Sequence, residues 1–181
     1  MPEVQITRKG IRHDVIARLK AANTAAGDRV FGPRTTKIPD ELLPALLVYC
    51  QTGDGKNIST DAPILRWGQE LAVECVVSGE SDEAMGDALD DLADTVEDVL
   101  LCDPVFVAMF EKIPGVRFDM AFDDAGRRRM SAAKVAFSLE FCRVYEPRID
   151  DEPDLVTVAI KADTMPTDGA FEAVATIDLD A

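Results

Sequence analysis

The sequence predicts an α+β fold: a mostly antiparallel sheet with two main helices packed on one face, plus a C-terminal β extension. Three observations lead there. Residues 10–25 and 82–103 repeat apolar side chains at helical spacing. Residues 45–51, 64–78, 116–123 and 129–145 are continuously apolar or alternate with period two. The helical segments fall between pairs of strands and not after every strand, which favours antiparallel neighbours over βαβ units. Residues 1–145 then form one α+β domain, and residues 146–181 an acidic C-terminal β arm.

The first helix is expected over residues 10–25, with Ile11, Val15, Leu19 and Ala22 on one stripe and Gly27 as its stop. Gly27, Gly32, Pro33 and Pro39 make residues 27–41 a connecting loop, which carries Arg29, Arg34 and Lys37. Residues 45–51 (ALLVYCQ) are apolar throughout, as in a central strand. Gly53, Gly55 and Pro63 make residues 52–63 a second long loop. In residues 64–78 the odd positions Leu65, Trp67, Leu71, Val73, Cys75 and Val77 share one face. Arg66, Glu70, Glu74 and Ser78 share the other.

Ser81 is a good N-cap for the second helix, with Asp82 and Glu83 in its first turn, where the helix dipole favours anions. Its apolar stripe is Met85, Leu89, Leu92, Val96 and Leu100, and Pro104 ends it. The opposite face carries Asp87, Asp90, Asp91, Asp94, Glu97 and Asp98. Residues 116–123 alternate with Val116, Phe118, Met120 and Phe122 on one face. Asp124, Ala125 and Gly126 read as a turn, and residues 129–145 return as the partner strand, with Arg127, Arg128 and Arg129 near the hairpin tip. Beyond Glu146, residues 155–161 and 170–179 alternate again. A lone two-stranded hairpin is marginal in water. Pro147, Pro153 and the acids between them read as a linker, so this arm is expected to dock on a neighbour or partner.

Acidic residues number 34 against 19 basic, a net charge of −15. That argues against neutralising phosphates of DNA and against anchoring on an anionic membrane. The longest apolar run, residues 42–50, contains Pro44 and is too short to span a bilayer. No charged-then-apolar leader opens the chain, so a cytoplasmic start is expected. Charge is unevenly spread: residues 1–37 are net +5, residues 80–103 hold ten acids and no base, and residues 146–181 are net −8. One protomer should therefore present a basic face and an acidic one, either as solvated surface or as self-complementary assembly surfaces.

Chemistry-bearing motifs are few. The cysteines Cys50, Cys75, Cys102 and Cys142 form no CxxC pair, and each sits in an apolar stretch, as buried reduced thiols do. The single histidine, His13, lies off the apolar stripe of its helix. Gly53-Asp54-Gly55-Lys56 has the composition of a phosphate loop, but Cys50 and Asn57 stand where that loop needs glycine and Ser/Thr. The acids of the second helix follow helical spacing, so they line a surface and do not enclose a cation. Glu70, Glu74 and Glu140 could pair as acid/base carboxylates, as in any acidic protein. No enzyme, cofactor or metal is expected.

The order of patterns is similar to that of the tail terminator proteins of long-tailed bacteriophages, the minor tail protein U-like or tail completion proteins. The residues that carry the likeness are an opening helix (Ile11-Arg12-x3-Ile16-x2-Leu19) and a basic loop (Asp28-Arg29-Val30-Phe31). They continue with a Pro-led strand start (Leu43-Pro44-Ala45-Leu46-Leu47-Val48-Tyr49) and a long strand from Leu71 to Val77. An Asp-rich helix from Leu89 to Leu100 follows, and a last strand ends at Val144-Tyr145. The likeness covers residues 8–145; residues 146–181 extend beyond it.

The resemblance implies a ring, with six copies as the expected number. Such a ring caps the head-proximal end of the tail tube, ends tube polymerisation and offers a docking surface to head completion or connector proteins. It implies a place in the virion at the head–tail junction after assembly in the host cytoplasm, DNA passing through the lumen without specific binding, and no catalytic residues. On this reading the subunit or tube interfaces draw on Arg29, Arg34 and Arg127–Arg129 on one side and on Asp87, Asp90, Asp91, Asp94 and Asp98 on the other. The alternatives are an acidic decoy that binds a DNA-binding protein in place of DNA, another interaction module, and a small enzyme using carboxylates or a cysteine.

Overall fold

The computed structural model describes residues 6–60, 63–123 and 130–145, and the backbone of two strands at 157–161 and 174–178. The chain separates into two compact units, Met1–Tyr145 and Glu146–Ala181. In the first unit the order is α1 (Arg8–Ala21), β1 (Val30–Phe31), a 3-10 turn (Asp40–Leu42), β2 (Ala45–Asn57), β3 (Ile64–Ser78), α2 (Asp82–Leu101), α3 (Pro104–Val107), β4 (Lys112–Asp123) and β5 (Met130–Val144). In the second, β6 (Thr157–Lys161) and β7 (Val174–Asp178) pair antiparallel.

The five strands of the first unit form one sheet in the order β1-β2-β3-β5-β4. Only the two-residue β1 is parallel to its neighbour; every other pairing is antiparallel. The period-two pattern of β3 sets the layers. Leu71, Val73 and Cys75 point to the same face as their cross-strand partners Phe137, Val135 and Ala133 on β5, and all six are buried. Ile11, Val15 and Leu19 of α1 pack on that face with Met85, Leu89, Leu92, Val96 and Leu100 of α2. Both main helices therefore cover one face, and the α+β class stands.

Helix ends follow capping chemistry. Thr7 accepts from the Gly10 N–H at 3.0 Å and Ser81 from the Ala84 N–H at 3.2 Å. The first helix stops at Ala21, earlier than its apolar stripe suggests, so Ala22 is its exposed C-cap. Asn23 then takes the left-handed conformation (φ 49°) that ends many helices. Pro104 does end α2, but it also opens α3, whose N-cap Asp103 accepts from the Val105 and Phe106 N–H groups.

The structure corrects several boundaries. The loop expected over 27–41 contains β1 and the 3-10 turn. The apolar segment at 45–51 does lie inside the sheet, between β3 and the short edge strand β1, while β3 takes the middle position. β2 also runs on to Asn57 through the expected loop, past an irregularity between Cys50 and Gly53. Its glycines there give room to β3 side chains. A Cβ on Gly53 would lie 2.6 Å from the Gln69 Oε1, and one on Gly55 would lie 2.9 Å from the Trp67 ring. Sequence rules read Gly-rich segments as loops; here they permit a close approach between strands. The expected turn at Asp124–Gly126 and the arginines 127–129 lie outside the described residues, as do residues 146–156.

Candidate functional site

The two faces of the sheet differ in chemistry. The helix-covered face is the core. On the open face, alternate residues of β3, β5 and β4 build a charged lattice. Lys134 Nζ donates to Glu70 Oε1 at 3.2 Å and to Gln51 Oε1 at 2.5 Å. Arg117 reaches Glu70 at 3.4 Å and Asp119 at 2.9 Å. Lys112 pairs with Glu140 at 3.2 Å, and the Tyr49 hydroxyl donates to Glu74 at 3.4 Å. Burial, then the Glu74 charge, pushes the Tyr49 phenol above its ordinary value. The three carboxylates considered as an acid/base set, Glu70, Glu74 and Glu140, are thus each engaged with a cation or a hydroxyl across the sheet.

One end of this open face is a groove of about 470 Å³. Its floor is largely apolar, with Ile38, Leu47, Val76, Met130 and Ala132, and it also includes Glu74, whose carboxylate accepts from the Tyr49 hydroxyl. The loop that precedes β2 crosses the face here, where Ile38, Ala45 and Val76 form a small second core. Arg34 and Lys37 line the rim, both exposed, and Arg34 stacks over the Phe31 ring at 4.7 Å. Among the described residues neither is in an ion pair. Arg29 is placed differently. Its Nε donates to the Pro44 carbonyl at 2.8 Å and its Nη2 to the Ala25 carbonyl at 3.0 Å, so it ties the loop down from within.

On the helix side the outer face of α2 is an acidic ridge. Asp87, Asp91, Asp94 and Asp98 follow spacings of four, three and four, hence one stripe, and Asp90 flanks it. All five are exposed, and among the described residues none is in an ion pair. The same stripe continues to Leu101, which is 38% exposed, and the next turn carries Val105 at 65% and Val107 at 38%. The ridge therefore ends in an apolar corner. Of these residues, Leu101 could have been found from the sequence, since it falls three positions after Asp98. The exposure of Val105 and Val107 depends on how α3 docks.

The cysteines divide by position. Cys75 is buried, and that burial, with the Glu74 charge, pushes its thiol up to about 12. Cys50 and Cys142 are half-buried. A hydrogen bond to Glu111 is the main cause raising the Cys142 thiol. Cys102 is exposed, against the expectation of burial, because it caps α2 on the ridge side of Leu100. His13 is exposed on α1. Among the described residues no group of three or more His, Cys, Asp or Glu could hold a metal, and no helix is long and apolar enough to cross a membrane.

No protein-family model matches the chain, and no curated protein matches it in sequence. Among solved structures it is similar to a chain of the virion of a native gene transfer agent particle. The identity is 12% and the TM-score 0.39, over 70% of this chain and 92% of that one. That likeness is too slight to transfer a role.

Proposed function

We propose that this chain is a structural virion protein that acts without catalysis. Copies of it close into a hexameric ring that caps the head-proximal end of a phage tail tube. The ring ends tube polymerisation and gives head completion or connector proteins a surface to dock on, at the head–tail junction. One observation carries the reading: a single protomer holds two chemically opposite surfaces, the acidic ridge of α2 and the basic rim at Arg34 and Lys37. A ring needs such a pair, because a heterologous contact joins two different patches. The order of helix, basic loop, Pro-led strand, long strand and Asp-rich helix supports the tail-terminator assignment. An acidic lumen would let DNA pass without capturing its phosphates.

Negative-stain electron micrographs of the purified full chain test the reading. Closed rings with a central hole are expected. A second reading, an acidic decoy for a DNA-binding protein, is favoured by the acidic stripe on α2, which is in no ion pair among the described residues. It predicts isolated monomers or dimers in the same micrographs.

A further inference from the structure

The basic-rimmed groove and the apolar corner of the acidic ridge lie on opposite faces of the sheet and at opposite ends of it. The groove includes Val76, Met130 and Ser131, beside the Ser78–Met130 pair where β3 ends. The corner follows the C-terminus of α2 and leads to Glu111, whose N–H donates to the Glu140 carbonyl at 2.8 Å and whose carboxylate pairs with Arg66 near the start of β3. We propose that the α2–α3 corner of one copy seats in the groove of the next. Leu101 and Val105 then cover the apolar floor, and Asp94 and Asp98 meet Arg34 and Lys37. The proposal rests on the ring reading above and specifies its interface.

Three features favour a second copy as the occupant. The corner is apolar with acids on one side. The groove is largely apolar with the exposed bases Arg34 and Lys37 on its rim, and its carboxylate, Glu74, is engaged by the Tyr49 hydroxyl, so the rim charge and the hydrophobic character match together. A groove of about 470 Å³ has room for more than one aliphatic side chain. Neither surface is complementary to itself, since basic rim would meet basic rim. The contact must therefore be head-to-tail, which propagates and closes where the rotation allows.

Charge-swapped variants of the full chain provide the test, read by native mass spectrometry at low salt. Variant one is Arg34→Glu with Lys37→Glu; variant two is Asp94→Lys with Asp98→Lys. All four positions are exposed, and each variant's melting temperature is measured to confirm folding. Each variant alone should lose assembly by about tenfold or more. An equimolar mixture should recover it, because acidic groove then meets basic corner and basic groove meets acidic corner. Val105→Lys should also weaken assembly. If the wild type assembles and the single variants do so equally well, the interface is wrong while the ring stands. If the variants fail and the mixture fails too, the acidic corner does not occupy the groove. If the wild type stays monomeric, the ring reading itself falls.

Discussion

Arg18 ties α1 to α3 through two carboxylates. From α1 it pairs with Asp14 one turn earlier, at 2.6 Å, and with Asp103, the N-cap of α3, while its guanidinium lies over the Phe106 ring at 5.6 Å. The Val105 N–H, first, and then the Phe106 N–H and Arg18 hold Asp103 below the usual carboxylate range. A carboxylate with a lowered folded pKa contributes stability above its unfolded value, and that contribution is lost as the pH falls through the folded one. Asp103→Ala should therefore melt below the wild type at neutral pH, with the gap closing as the pH drops under the carboxylate range; a gap that ignores pH would contradict the capping role. A second residue-scale outcome concerns Gly55. Trp67 beside it donates its Nε1–H to the Tyr145 hydroxyl at 3.2 Å and lies under Arg8 at 4.5 Å. Gly55→Ala drives a Cβ into the indole, so thermal or denaturant unfolding should show a loss of about 1–3 kcal/mol.

At the scale of elements, β3, β5 and α2 were legible in the sequence because each carries an unbroken period with clean ends. Ser81 and Pro104 bracket α2, and the odd-numbered apolar residues of β3 face the helices as the alternation requires. Three features were not legible. β1 is two residues long and exists only because the basic loop lies parallel to β2. The extension of β2 runs through glycines whose reason is the bulk of Gln69 and Trp67 on another strand. β4 alternates as expected, but alternation fixes only which face a side chain takes, not what covers that face. α2 lies over β3 and β5 and α1 over β2 and β1, while β4 is the sheet edge, so Val116 stays 36% and Phe118 41% exposed. The two phenylalanines of neighbouring strands should then differ sharply. Phe137→Ala, fully buried, should cost about 3–5 kcal/mol in denaturant unfolding, whereas Phe118→Ala should cost under about 1 kcal/mol. Equal costs would mean that β4 is covered in the isolated chain. Of the candidate interface residues, the α2 aspartates were legible as an outward stripe. The internal role of Arg29 was not, because its acceptors are backbone carbonyls brought near by the fold.

At the scale of the whole molecule, the unit Met1–Tyr145 has its own core, and Glu146–Ala181 is a separate unit built on a two-stranded pairing. Deleting residues 148–181 should leave a chain with an unchanged melting temperature in monomeric form and weakened assembly. A truncated chain that is insoluble or strongly destabilised would show that the strands serve the core. With a net charge of −15 separated into opposed surfaces, assembly of this chain should respond to salt. Near 1 M salt the screening length falls to about 3 Å, so exposed complementary charges lose most of their attraction. The most direct measurement is the solution mass of the full chain by sedimentation, at low salt and again near 1 M. A species of six protomer masses is expected at low salt, dissociating at high salt. A chain that remains monomeric at every concentration and ionic strength would contradict ring assembly.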